Sequence, residues 1–155
     1  MNIFTAILVC SAIVGQEPMS VSKRDTKTAA CIGLMDKAHM IGLDPIEVAS
    51  IGWVESRFNP NVVSKAGARG MLQAIPKYWC KGKRRGCDYT AAGLSAWTYY
   101  RHKTPLMEAL CKYSSGMRCY KSKKARVYAR KTMSIIRAAK SVIEMPRAIA
   151  LGVSW

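Results

Sequence analysis

Residues 51–75 read IGWVESRFNPNVVSKAGARGMLQAI. An apolar run ends in Glu55, Asn59-Pro60 follows, Gly67 and Gly70 bracket a turn, and Gln73 sits on a second apolar run. An acid among apolar neighbours is disfavoured in its charged form, which keeps it protonated near neutral pH. The residues just upstream explain the first run. Asp44 reads as an N-cap, with Pro45 in the first helical position and Glu47 three residues after the cap. The helix that starts there carries Ile46, Val48, Ala49, Ile51, Gly52, Trp53 and Val54, apolar nearly all round, as a buried central helix requires. Glu55 closes it. Asn59-Pro60 ends the segment, because a residue before proline avoids the helical region. Met71 is expected to open a second short helix, stopped by Pro76.

The rest of the chain sets the frame. Its 155 residues fit one domain with a single sizeable core. Thr28 to Ile41 has helical spacing and Gly42 as its stop, and further helices are predicted over 90–101, 105–115 and 123–144, with Gly116 ending the second of these and Pro146 following the last. Nothing reads as a strand pair, so the fold class is mainly α. Residues 3–14 form an apolar run too short to cross a bilayer as a helix. Residues 1–15 therefore read first as a signal peptide, then as an uncleaved anchor or a buried segment. Residues 16–27 read as a linker, 28–146 as the folded domain and 147–155 as a tail. No stable transmembrane helix is expected.

Lys and Arg number 25 against nine Asp and Glu, a net charge of +16. Nucleic acid, an anionic membrane surface and an acidic polymer such as a bacterial cell wall all suit such an excess. Six cysteines favour an exported protein. If Cys10 leaves with a signal, Cys80–Cys87 and Cys111–Cys119 are the simplest disulfide pairs and Cys31 stays free. A bridge closing an eight-residue loop would stabilise by about 2–3 kcal/mol. Zinc is the alternative use, but His39 and His102 match no zinc spacing, so neither a metal nor a cofactor is expected.

From Glu55 onward, ESRFNPNVVSKAGARGMLQAIP resembles the core of the soluble lytic transglycosylase family, whose usual form is close to ESxFNPxAxSxAGAxGLMQxMP. Ala92-Gly93 is similar to an Ala-Gly on the family's next helix, ALCKYSSG at 109–116 to its ALAAYNAG, and Tyr128-Ala129-Arg130-Lys131 to its late tyrosine helix. The likeness spans roughly residues 45–133. It implies a single lysozyme-like helical domain that cleaves peptidoglycan glycan strands; a monomer is expected. By the same resemblance Glu55 is the acid/base, and Ser56 holds the substrate's acetamido group or orients Glu55. Met71 runs along the cleft, Gln73 contacts sugar, Tyr113 walls the sugar site, and Tyr128 hydrogen-bonds Glu55. Two positions depart from the family. Ser114 stands where the family has Asn, shortening the reach toward the acetamido group. Met71-Leu72 reverses the family's Leu-Met, a volume-conserving swap.

Glycoside cleavage usually needs two carboxylates, about 5–5.5 Å apart for retention or roughly 6.5–9.5 Å for inversion. Glu47 lies about 12 Å from Glu55 along the helix and serves better as a cap. Asp88 and Glu108 fall in no matched motif. One acid without an evident partner suits the transglycosylase route the resemblance implies. The bland alternative is a Glu55 that only ends a helix or pairs with Arg57 or Arg69. Two rival functions stay open: a hydrolytic lysozyme, and a non-catalytic cationic protein of the same fold that binds wall or nucleic acid. Lys81, Lys83, Arg84 and Arg85 form one basic patch, and Lys121, Lys123, Lys124, Arg126, Arg130 and Lys131 a second. Both are expected to hold the protein to an anionic envelope by a salt-sensitive attraction. Nucleic acid is the weaker partner, since no reading motif or aromatic platform accompanies the charge. The expected location is the periplasm or the exterior, acting on the cell wall, and a viral origin is compatible with it.

Overall fold

In the computed structural model, which describes residues 1–80 and 86–150, the regular structure is helical. The helices are α1 (Ile3–Val14), α2 (Val21–Met40), α3 (Pro45–Ser56), α4 (Pro76–Trp79), α5 (Tyr89–Arg101), α6 (Leu106–Ser115) and α7 (Lys123–Ala150), with a 3-10 turn at Cys119–Lys121. Among the described residues the only strand-like pairing is two isolated antiparallel bridges, Val63 with Arg69 and Arg69 with Ala74. No described helix is long and apolar enough to cross a membrane. Two compact units emerge, Met1–Ser50 with Ser134–Trp155, and Ile51–Met133.

In the first unit α1 packs on α2. Ala6, Val9, Cys10, Ile13 and Val14 form the buried side of α1, and Cys31, Leu34, Met35 and Ala38 that of α2. A disulfide joins Cys10 to Cys31. Cys31 is therefore not free; it looked unpaired only when Cys10 was assumed to leave the chain. The expected linker over 16–27 is also shorter. α2 begins at Val21, and residues 21–26 form its exposed first turns. Polarity suggested a loop there, yet the stretch has no Gly or Pro, and a helix extends by one hydrogen bond per added residue. Asp44 caps α3 as expected, accepting from the backbone N–H of Ile46 at 2.9 Å and of Glu47 at 3.2 Å. Its other carboxylate oxygen accepts from Lys140 Nζ on α7 at 3.0 Å. α7 runs past Pro146 to Ala150, so the tail expected over 147–155 begins as helix. A proline near the end of an established helix removes one ladder bond without preventing its continuation. Residues 151–155 lie outside the described residues, as do Lys81, Lys83, Arg84 and Arg85 of the first basic patch. Lys121, Lys123, Lys124, Arg126, Arg130 and Lys131 are all exposed.

In the second unit Trp53, Phe58, Leu72, Leu94, Trp97, Ala109 and Leu110 are buried. The disulfides Cys80–Cys87 and Cys111–Cys119 form as expected and close short loops. Asp88 caps α5, accepting from the backbone N–H of Thr90 at 2.9 Å and of Ala91 at 3.0 Å. Gly116, with φ of 72°, ends α6. Residues 71–75 differ from expectation. They form turns and the Ala74 bridge, and Pro76 opens α4 instead of closing a helix. Its fixed φ and missing N–H suit a first helical position.

Gly93 shows why Ala92-Gly93 stands where it does. A Cβ built on Gly93 would lie 2.4 Å from the Leu72 Cβ, an atom fixed close to the backbone. α5 can lie this near the Leu72 segment only without a side chain at that point. Gly93→Ala is expected to destabilise the protein by about 1–3 kcal/mol through overpacking. Gly33→Ala on α2, with nothing within 4 Å of the added methyl, should instead stabilise by roughly 0.5–1 kcal/mol. Thermal melts of the two variants check the contrast.

Candidate active site

Glu55 is the next-to-last residue of α3, and the local backbone fixes where it points. Arg57 and Phe58 both take left-handed conformations, with φ of 55° and 58°, so the helix stops before Asn59-Pro60 is reached. Phe58 is buried with its ring centroid 5.6 Å from that of Trp53. The Arg57 guanidinium lies 4.8 Å from the Trp53 ring centroid and donates to the Trp53 carbonyl at 2.6 Å. Left-handed non-glycine residues cost free energy and persist where surrounding contacts over-determine them. Here the Trp53 contacts supply that support, two residues from the acid.

The turn that follows contributes Ser64, Ala66, Ala68 and Gln73 to the walls of the cleft that Glu55 lines. Gly67 and Gly70 have φ of 80° and 75°, which L side chains rarely adopt. The Ser64 hydroxyl accepts from the Ala68 N–H at 3.0 Å. Gln73, itself at φ 50°, donates from Nε2 to the carbonyls of Val62 at 3.1 Å and Gly70 at 2.9 Å. Its amide nitrogen thus ties the turn together, and any sugar contact falls to its amide oxygen.

Glu55, Gln73, Tyr113, Ser114 and Tyr128 line one cleft of about 610 Å³, with Ser64, Trp79, Tyr100 and Gly116 among its other walls. The volume is that of a small-ligand site. Ser56 and Met71 are not in the lining. The Ser56 hydroxyl meets the carbonyls of Gly52 at 3.1 Å and Met71 at 2.8 Å, so both residues brace the end of α3 against the turn. The Tyr113 hydroxyl donates to the Leu72 carbonyl at 2.6 Å, fixing its ring beside the acid. Ser114 is exposed at the rim.

Burial pushes the Glu55 carboxyl up from 4.5 to about 7, and the Tyr128 hydroxyl partly opposes it. The Tyr128 hydroxyl is buried and its contact with the acid falls short of strict hydrogen-bond geometry. It nonetheless works against the burial effect on Glu55, since a hydroxyl rotor can turn toward the acid. Neither Arg57 nor Arg69 enters as a cause of the shift. The phenols of Tyr113 and Tyr128 are driven well above their ordinary value, first by burial and then by the Glu55 charge, so both remain neutral.

All nine acids of the chain lie in described residues, and of them only Glu55 lines this cleft. Glu47 is buried on the first turn of α3. Asp88 is spent on its cap. Glu108 pairs with Lys112 at 2.7 Å. Tyr78, Trp79 and Tyr100 are cleft residues that the sequence reading passed over. Two adjacent aromatic pairs, Tyr78-Trp79 and Tyr99-Tyr100, were their only signal, and neither lies on a recognised motif.

Residues 33–136, more than half of the chain, match the model of a family described as transglycosylase SLT domain. No curated protein and no solved structure matches the chain.

Proposed function

The chain belongs to the transglycosylase SLT domain family, and on that premise we propose that it is a peptidoglycan lytic transglycosylase with Glu55 as its sole acid/base. The observation that carries the reading is a cleft with one carboxylate, held protonated near neutrality, and no second acid in its walls. The substrate is the β-1,4 bond between N-acetylmuramic acid and N-acetylglucosamine. Protonated Glu55 gives its proton to the glycosidic oxygen as the C1–O bond breaks, and the muramic acid's own 2-acetamido oxygen attacks C1. Glu55, now a carboxylate, takes the proton from the C6 hydroxyl, whose oxygen displaces the acetamido group. The products are a 1,6-anhydromuramic end and a free C4 hydroxyl on the leaving sugar. The acid ends protonated, and no water is consumed.

A value near 7 supports both steps, because a group that donates and then accepts works best with its pKa near the working pH. Tyr113 and Tyr128, neutral throughout, supply walls and a hydroxyl beside the acid. Gln73 and Ser114 offer an amide oxygen and a hydroxyl at the sugar's polar edges. Three disulfides among the six cysteines suit an oxidising compartment outside the cytoplasm. The exposed cations over 121–131 would draw the protein to the anionic wall, with an attraction that weakens as salt is raised.

Mass spectrometry of the fragments released from purified peptidoglycan tests the reading. Anhydro ends are expected throughout. Fragments heavier by one water, about 18 Da, would make the enzyme a hydrolase of the lysozyme type.

A further inference from the structure

A second cavity, of about 540 Å³, is lined by α6, the 3-10 turn and the first turns of α7. Its walls include Met107, Cys111, Cys119, Tyr120, Arg126 and Arg130, and it shares no wall residue with the Glu55 cleft. The Cys111–Cys119 disulfide ties α6 to the 3-10 turn, and the Arg126 guanidinium donates to the Tyr120 carbonyl. The groove is therefore braced from both sides. Glu108 is the one acid in its walls, and it pairs with Lys112 at 2.7 Å. Arg126 and Arg130 stand four residues apart, so they share one face of α7. Around them, residues 118–131 carry seven cations and no acid, and all seven cations are exposed. Apolar surface is exposed among this charge. Tyr120 keeps 63% of its surface in water and Met107 40%, and Met117 and Val127 are exposed as well. The proton transfers use nothing on this face.

We propose that this groove seats the protein on a bilayer surface rich in anionic phospholipid, with Arg126 and Arg130 at the lipid phosphates and Met107 and Tyr120 among the first carbons of the acyl chains. A guanidinium presents a fork of donors that matches phosphate oxygens. The cations around it add attraction to a negatively charged leaflet. Tyrosine is at home where headgroup meets hydrocarbon, because one end of its ring is apolar and the other wet. Methionine, unbranched and flexible, adapts to fluid chains. A wall polymer would satisfy the cations but offers no hydrocarbon to Met107, Met117 and Val127, whereas a phospholipid joins phosphate to hydrocarbon in one molecule. Attraction to the wall needs charge alone and fades with salt. The groove adds an apolar component that salt does not screen. Lipid contact here uses none of the residues that line the Glu55 cleft. The inference does not depend on the transglycosylase reading.

The test sediments the full chain with vesicles of phosphatidylcholine alone, or of phosphatidylcholine mixed equally with phosphatidylglycerol. Binding to the mixed vesicles is expected to be at least about tenfold tighter. Arg126→Gln together with Arg130→Gln should weaken it roughly tenfold. Met107→Ser together with Tyr120→Ser should weaken it about fivefold and make what remains vanish in high salt, where the native protein still binds. Equal binding to the two kinds of vesicle would overturn the proposal. So would full binding by the Met107 and Tyr120 variant, which would leave charge alone at work. Purified sacculi that lose the same variants while the vesicles keep them would assign this face to the wall instead. If the double variant does not fold by circular dichroism, Met107→Ser alone replaces it, with a loss of about twofold expected and no loss counting against the groove. Glycan release from purified peptidoglycan, with no lipid present, should be the same in every variant. A drop there would place the face in the handling of the wall and count against a lipid role.

Discussion

Glu55→Gln is expected to lower the rate of glycan release from peptidoglycan by at least about 10³-fold. General acid–base catalysis by one positioned group contributes typically 10²–10⁴, and in the proposed route the same carboxyl serves in bond cleavage and in ring closure. Glutamine keeps the size and the polar end of the side chain but neither gives nor takes a proton at neutral pH. No other carboxylate lines the cleft to stand in. Asp88 and Glu108 are engaged elsewhere, by the N-terminus of α5 and by Lys112. Turbidity loss of a peptidoglycan suspension measures the effect, with circular dichroism confirming the fold. A variant that keeps more than a tenth of the native rate would remove Glu55 from the chemistry, and the cationic wall-binding alternative would then gain.

What was legible in the sequence was local. Asp44-Pro45 and the apolar run behind it announced α3 because a cap and its helix lie within a few residues, and the cap bonds to Ile46 and Glu47 are there. Gly67, Gly70 and Gly116 marked places where only a left-handed backbone fits, and all three have positive φ. Glu55, Gln73, Tyr113, Ser114 and Tyr128 were picked out by resemblance, and the structure gathers them in one cleft. Ser56 was assigned to the substrate by the same route, but its hydroxyl meets the Met71 carbonyl 15 residues away. Such a partner cannot be seen from a helix end. Trp79 and Tyr100 were missed for the related reason that their meeting depends on how α4 and α5 pack. Pro76 was read as a stop because its meaning depends on which side the helix lies. The pairing of Cys31 turned on whether residue 10 belonged to the folded chain, which spacing alone does not decide.

The same acid should leave a signature in stability. Its pKa is about 7 in the folded protein against an ordinary 4.5, because burial penalises the charged form. Between those values the folded state binds more protons than the unfolded one, so stability falls as pH rises. The contribution is fully present below pH 4.5 and is lost as pH passes through about 7. At about 1.4 kcal/mol per pKa unit, the loss amounts to roughly 3 kcal/mol at most. Glu55→Gln removes this dependence, since its amide stays neutral. The variant is therefore expected to match the native protein within about 1 kcal/mol at pH 4 and to exceed it by roughly 2–3 kcal/mol at pH 8. Urea unfolding at the two values measures the difference, and parallel native and variant curves across that range would show that burial does not hold the proton. Tyr128→Phe separates the two causes. Its hydroxyl lowers the Glu55 pKa, so its loss should move the alkaline limb of the activity profile to higher pH. It should also move the native stability loss upward with it. A limb that stays in place, or moves down, would mean that the phenol acts on substrate and not on the acid.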